Sequence, residues 1–443
     1  MEFAGLKVLV VGLGKSGLSA IKLLVEKGAH PHGTDSRPLD QLPGAGPFFA
    51  ELGIPFHEQS AAVFREFPLI VLSPGVPLDL PELDAARAAG ARVTGEVELA
   101  AAFLEGRNIG ITGANGKTTT TALIGHLLKE NGIACQVGGN IGLPPTAMIA
   151  TSREDRWNVL ELSSFQLETI AEFRAEIAVC LNVTPDHLDR HHTFEAYAAA
   201  KRRLFETQHK GDWAVLNADD AVTAAYAKAT AAEVVWFSLR GKVERGLWLE
   251  EGNVYHDSAL LMPAAEIPLR GRHNVENVMA AAGAAHLAGV SAAGIRAAVR
   301  TFPGVEHRIE FVRELRGVRY YNDSKATNVD ATLKAVEAFE GGLWIILGGK
   351  DKGSDYRPLA AALQGKCREA LLIGAAADKI AGQLEGSVPL TACGTLEAAV
   401  RHASERAKPG DTVLLAPACA SFDQFANYEE RGRTFKTFVS KIV

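Results

Sequence analysis

The chain has 443 residues, a formal net charge of −6, 47% hydrophobic and 22% charged residues. This balance fits a soluble globular protein and leaves no basic excess for a nucleic-acid backbone. The opening MEFAGLKVLVVGLG lacks a basic region and a cleavage site, and no apolar run reaches the roughly 18 residues of a membrane span, so a cytoplasmic location away from membranes is expected.

At roughly 150 residues per domain the length implies about three domains. Short Val, Ile and Leu runs alternate with Ala- and Leu-rich helical stretches, the α/β pattern of mostly parallel sheets covered by helices. Strands are predicted at Lys7 to Val11, Leu69 to Leu72, Asn108 to Thr112, Trp157 to Leu162, Ile177 to Asn182, Trp213 to Asn217, Val318 to Tyr321, Leu343 to Leu347, Ala370 to Ile373 and Thr412 to Ala416. Breaks at Thr94-Gly95 and at Phe302-Pro303-Gly304 divide the chain into 1–94, 95–302 and 303–443. Five scattered cysteines, at 135, 180, 367, 393 and 419, form no CxxC and read as reduced, mostly buried thiols.

In chain order, the first signal is Gly12-Leu13-Gly14-Lys15-Ser16-Gly17 after a strand, with Asp35 eighteen residues beyond Gly17. Alone it spells a dinucleotide fold, and an NAD-dependent oxidoreductase is one reading it supports. A second loop, Gly113-Ala114-Asn115-Gly116-Lys117-Thr118, lies between a strand and a helix ending near Asn131. Glycines there let backbone N–H groups converge on phosphate, the helix N-terminus adds positive potential, and a lysine and a hydroxyl meet phosphate and Mg²⁺. Ile111 stands where a longer Walker loop has glycine, so the match is to the shorter GxxGK[ST] form.

A phosphate site needs carboxylates at neighbouring strand ends, and Glu161 closes an otherwise apolar strand. The next strand runs into Asn182-Val183-Thr184-Pro185-Asp186-His187-Leu188-Asp189-Arg190-His191-His192. Three histidines suggest zinc, but an oxygen-rich crevice suits Mg²⁺ better, and His191 and His192 read as surface residues. On the helix Thr193 to Glu206, Lys201 falls on the apolar face of Phe194, Tyr197, Ala198, Leu204 and Phe205, as a snorkelling or a buried lysine. Farther on, Asn274 in Gly271-Arg272-His273-Asn274-Val275-Glu276-Asn277 reads as a helix cap or a ligand contact, and polar residues mass at Asn322-Asp323-Ser324-Lys325-Ala326-Thr327-Asn328 after a strand.

The wording Thr112-Gly113-Ala114-Asn115-Gly116-Lys117-Thr118-Thr119-Thr120 closely resembles the ATP loop of the Mur ligases and of folylpolyglutamate synthase. The Asn322 to Asn328 segment resembles the D-glutamate-adding Mur ligases, as do Asp35-Ser36-Arg37 and Ser73-Pro74-Gly75. The resemblance runs over nearly the whole chain. It implies three domains: a Rossmann-like one for the uridine nucleotide, a central P-loop domain for ATP, and a C-terminal Rossmann-like one for the amino acid. It further implies a ligase that joins D-glutamate to UDP-N-acetylmuramoyl-L-alanine through an acyl phosphate, as a monomer.

The residue roles it implies are as follows. Gly113, Asn115, Gly116, Lys117, Thr118, Thr119, Asn274, Arg308, Asp323 and Lys325 would meet ATP. Gly14, Lys15, Ser16, Asp35, Ser36, Arg37, Ser73, Gly75, Asn140 and His187 would meet the UDP-substrate. Thr118, Glu161, His187 and a carbamylated Lys201 would hold two Mg²⁺ ions, with Lys117, Glu161, His187, Lys201 and Lys325 carrying catalysis. Thr327, Lys352, Ser421 and the backbone at Tyr428, where the family has phenylalanine, would hold D-glutamate.

Overall fold

A computed structural model describes residues 3–42 and 44–442. The chain divides into two compact units, 1–267 with 275–302, and 268–274 with 303–443. The helix Arg272–Leu287 contributes residues to both.

In the first unit, β1 (Lys7–Val11), β2 (His30–Asp35), β3 (Phe56–Glu58), β4 (Leu69–Leu72) and β5 (Arg92–Gly95) form a parallel sheet in the order β3-β2-β1-β4-β5. Because strand side chains alternate, Val8 and Val10 enter a core with Leu13, Ile21 and Phe49, while Leu9 and Val11 enter another with Phe64, Ile70 and Leu83. Both faces are covered, which is why the strands read as continuous apolar runs. The order reverses between β1 and β4, the point at whose carboxyl ends open sheets of this kind take their ligands.

The same unit carries β6 (Arg107–Thr112), β7 (Cys135–Gly139), β8 (Trp157–Glu161), β9 (Ile177–Cys180), β10 (Trp213–Asn217), β11 (Glu233–Ser238), β12 (Gly246–Glu250), β13 (Asn253–His256) and β14 (Ala259–Pro263). They run in the order β14-β13-β12-β11-β10-β9-β6-β8-β7, parallel except where β13 pairs antiparallel with β12 and β14. The predicted strand to Asn182 stops at Cys180 because beyond it the chain pairs with the glycine loop, the Asn182 carbonyl accepting from Ala114 N at 2.8 Å.

In the second unit, β15 (Glu310–Leu315), β16 (Val318–Asn322), β17 (Leu343–Gly348), β18 (Cys367–Ile373), β19 (Leu390–Gly394) and β20 (Thr412–Leu415) lie in the order β15-β16-β20-β17-β18-β19. Only β15 is antiparallel to its neighbour among these described strands. Leu343, Ile345 and Leu347 pack on one face, and Trp344, Ile346 and Val413 on the other.

The cysteines are free, as expected, but only Cys180 and Cys419 are buried; the other three are half-buried at strand ends and edges, which corrects the reading of mostly buried thiols. Among the described residues no helix is long and apolar enough to cross a membrane.

Glu98, on the helix Glu96–Ala101, anchors the first unit's inner loop: its carboxylate accepts backbone N–H groups of Ala171 (2.9 Å), Glu172 (2.7 Å) and Phe173 (3.0 Å). Glu98→Ala is expected to lower the unfolding free energy by about 3 kcal/mol by stranding these donors. Urea denaturation checks this, and an unchanged midpoint would mean that the amides find other partners.

Candidate active site

The glycine loop leaves β6 between the ends of β8 and β9, and its shape is held from outside by an asparagine. Asn182 accepts from Asn115 N at 2.8 Å through Oδ1 and returns Nδ2 to the Asn115 carbonyl at 3.2 Å. Gly116 sits at φ 87°, and a Cβ there would stand 2.2 Å from Asn277 Oδ1, so glycine is required twice over. The helix Lys117–Glu130 starts immediately afterwards, with no side-chain cap on its N-terminus, so its positive end lies at the loop.

Lys117 Nζ folds back to donate to the carbonyls of Gly113 (2.8 Å) and Ala114 (2.9 Å). Lys201 Nζ also donates to Gly113 O, at 2.9 Å, and lies 4.5 Å from the Tyr197 ring centroid. Lys201 is 1% exposed, so of the two readings of that lysine the buried one holds. Burial, reinforced by the charge of Lys117, pulls its ammonium down to about 7.

Glu161 ends β8 and is 2% exposed. Its Oε1 accepts from Asn140 Nδ2 at 2.8 Å, whereas Oε2 is buried without a hydrogen-bond partner. A buried carboxylate oxygen left open beside a lysine and a phosphate-type loop fits a divalent cation, although among the described residues no group of three His, Cys, Asp or Glu is gathered tightly enough to hold a metal alone. Thr118 and Thr119 lie on the first turn of the helix after the loop. His187 is half-exposed, at φ 53°, with its ring 4.9 Å from that of Phe165.

His191 is buried, contrary to the surface reading: its Nε2 meets Ser164 Oγ at 2.9 Å and its Nδ1 stands 3.2 Å from Glu168. These partners come from a different element, so local sequence held no signal for them. His192 is exposed.

At the reversal point of the first sheet, Asp35 Oδ2 accepts from Leu13 N at 2.8 Å and Oδ1 from Arg37 N at 3.1 Å, while Ser73 Oγ donates to Gly12 O at 2.6 Å. Gly14 precedes the helix Lys15–Glu26, which has no side-chain cap; Lys15 donates to the carbonyl of Gly142, Ser16 lies in that helix's first turn, and Ser36 and Gly75 follow the ends of β2 and β4. Residues 12–17, 35–37 and 73–75 are thus assembled, as is Asn140 with Glu161.

In the second unit three loops converge at the carboxyl ends of β16, β17 and β20. Arg431, 1% exposed, donates to Ser324 Oγ (2.9 Å), Ser324 O (2.8 Å), Cys419 O (3.1 Å) and Ala420 O (3.3 Å), and desolvation lowers it to about 10. Lys325 Nζ donates to Tyr428 Oη at 2.7 Å, and Tyr428 O accepts from Ser324 Oγ at 2.8 Å. Gly432 makes room for His307, whose Nδ1 stands 2.2 Å from where a Cβ would lie. Ser421 is buried, Thr327 half-buried and Lys352 exposed. Asn274 is inside its helix rather than capping it, Nδ2 donating to Arg270 O at 2.6 Å.

Sequence reading passed over Arg431, Asn182 and Asn277 as working residues. Asn277 had a usable signal, three positions after Asn274 on one helix face, whereas a cation surrounded by carbonyls has none.

Three family models match: the N-terminal domain of the MurD-like Mur ligases over residues 6–95, the Mur ligase middle domain over 111–285, and the Mur ligase glutamate ligase domain over 307–419. A UDP-N-acetylmuramoylalanine–D-glutamate ligase of Solibacter usitatus is 64% identical over 440 residues, 99% of each chain. The chain belongs to the Mur ligase family. A relative of the same name from Acidobacterium capsulatum is 54% identical, covering 99% of this chain and 97% of its own. Among solved Mur ligases, the UDP-N-acetylmuramate–alanine ligase of Thermotoga maritima shares the fold at TM-score 0.60 and 20% identity, over 98% of this chain and 100% of that one. The three-domain α/β architecture with mostly parallel sheets is that of the family.

Asp323 is 7% exposed, and burial raises its carboxyl to about 7 against the pull of Arg308 and a hydrogen bond from Ile309 N. A carboxyl raised on folding contributes stability that is present at low pH and lost as pH rises through about 7. Asp323→Asn should therefore raise the melting temperature more at about pH 8 than at about pH 5. Equal shifts at both would contradict this assignment.

Proposed function

We infer that the chain is an ATP-dependent, ADP-forming ligase that joins D-glutamate to UDP-N-acetylmuramoyl-L-alanine in peptidoglycan synthesis. The observation that carries this is identity of 64% over 99% of the chain to a ligase of that name, with the family's phosphate loop assembled. The proposed domains are 1–94 for the UDP-substrate, 95–302 for ATP and 303–443 for the amino acid, in a cytoplasmic monomer.

Joining a carboxylate to an amine is uphill in water, so the carboxylate must first be activated by phosphoryl transfer. Lys117 and the loop N–H groups would hold the phosphates and, with Lys325, neutralise charge on the γ-phosphoryl group as it moves. Asn274, Arg308 and Asp323 would bind the nucleoside end of ATP, alongside Gly113, Asn115, Gly116 and Thr119. Gly14, Lys15, Ser16, Asp35, Ser36, Arg37, Ser73, Gly75 and Asn140 would seat the UDP-sugar and orient its alanyl carboxylate in line. Thr327, Lys352, Ser421 and Tyr428 would hold D-glutamate so that its amine displaces phosphate.

Thr118, Glu161, His187 and Lys201 are proposed to hold two Mg²⁺ ions, which when bound would neutralise developing phosphoryl charge. Lys201 fits this set only if it becomes an anion. Its amine, drawn down to about 7, has a substantial neutral fraction at neutral pH, and that lone pair can attack CO₂, losing a proton to solvent and leaving an N-carboxylate.

Phosphate release from ATP and UDP-N-acetylmuramoyl-L-alanine should depend on D-glutamate; release with L-glutamate, L-alanine or diaminopimelate instead would overturn the assignment. A second test concerns Lys201. A ¹³CO₂-derived carbamate signal should decline as pH falls below about 7 and be missing in Lys201→Ala, whose lost activity short carboxylic acids should partly restore. A fully active Lys201→Ala would rule out the carbamate.

A further inference from the structure

Arg190 lies three residues after His187 in the four-residue helix Leu188–His191. Its Nη2 donates to Val76 O at 2.8 Å and to Glu168 Oε2 at 2.7 Å, with both charged side chains 14% exposed, and the guanidinium stands 5.2 Å from the Phe165 ring centroid. Glu168 is engaged from its other side by His191, which in turn reaches Ser164.

Val76 closes the turn that follows β4. Its N–H donates to Ser73 O at 3.0 Å, Ser73 Oγ bonds Gly12 O at 2.6 Å, and the Val76 methyl occupies the space a Cβ on Gly12 would take, at 2.7 Å. One guanidinium therefore fastens the turn proposed for the UDP-sugar to the segment that carries His187. So short a helix has few hydrogen bonds of its own, and its placement depends on such outside ties.

We propose that Arg190 is a positioning residue that couples occupancy of the UDP-sugar crevice to the metal-nucleotide end of the central sheet. The inference rests on the functional reading above. A ligand that seats the Ser73–Val76 turn fixes Arg190 and thereby the His187 segment, and by reciprocity metal and nucleotide tighten the hold on the sugar. The planar group matters as well as the charge, because the two N–H bonds of Nη2 are fixed in the guanidinium plane, toward a carbonyl and a carboxylate on two different segments, with Phe165 beside it; a lysine keeps the charge but has neither the fixed directions nor the flat face.

The test is calorimetric titration of the full chain with UDP-N-acetylmuramoyl-L-alanine, with and without Mg²⁺ and a non-hydrolysable ATP analogue. In the wild type the pair should tighten sugar binding by about fivefold or more. In Arg190→Lys and in Glu168→Gln the enhancement should vanish, while each ligand alone binds as in the wild type, the KM for D-glutamate holds and that for the UDP-sugar rises. Enhancement that survives in both variants would overturn the proposal, as would a uniform loss of both affinities with a lowered melting temperature, the mark of a merely structural tie. Should Arg190→Lys not fold, Glu168→Gln carries the comparison. A wild type that binds the sugar without enhancement sinks this inference alone, whereas one that binds no UDP-sugar sinks the functional reading with it.

Discussion

Two lysine amines share one carbonyl oxygen in the first unit: Lys117 and Lys201 both donate to Gly113 O, at 2.8 and 2.9 Å. So close a pair repels while both are charged, and with Lys201 buried the loss of water and the nearby Lys117 together draw its amine down to about 7. What results is a glycine loop and a helix N-terminus beside the Lys117 charge, an amine at Lys201 that gives up its proton easily, and the open carboxylate oxygen of Glu161 at the adjacent strand end. Everything around the loop serves to hold that arrangement. Asn182 grips Asn115, Asn277 leaves no room beside Gly116, and Asn140 fixes one oxygen of Glu161 so that the other stays available.

The second unit solves a similar problem with one charge. Arg431 is buried among carbonyls and a serine hydroxyl, with no carboxylate hydrogen-bonded to it among the described residues, and in satisfying them it draws the loops after β16 and β20 together. The loop after β17 joins them through backbone bonds, Gly348 N to Pro417 O and Lys350 N to Ala420 O. Polar loops at the carboxyl ends of parallel strands, fastened by buried charge, are thus the common device of both units, and in each the sheet's apolar interior supplies the rigidity that loops alone lack.

Much of this was legible in the order of residues. The parallel strands are buried on both faces and so appear as unbroken apolar runs, and the 3.6-residue period alone places Lys201 on the apolar face of its helix. The glycine loops announced themselves because backbone approach to phosphate tolerates few other residues. What escaped was set by partners distant in sequence. The antiparallel strands β12 to β14 are short runs separated by polar turns, and their stability comes from pairings such as Trp248 stacked on Tyr255 at 5.6 Å. His191 looked like a surface residue because Ser164 and Glu168, which satisfy it, belong to another segment. Arg431 carried no motif, since its role depends on carbonyl groups that every residue possesses.

The central claim is that the charged loop activates a carboxylate by phosphoryl transfer. Its most direct test uses UDP-N-acetylmuramoyl-L-alanine labelled with oxygen-18 in the alanyl carboxylate and follows the label through one round of D-glutamate addition. The account predicts that one labelled oxygen passes from the carboxylate into the inorganic phosphate released. Phosphate free of label, or label recovered in AMP, would contradict it.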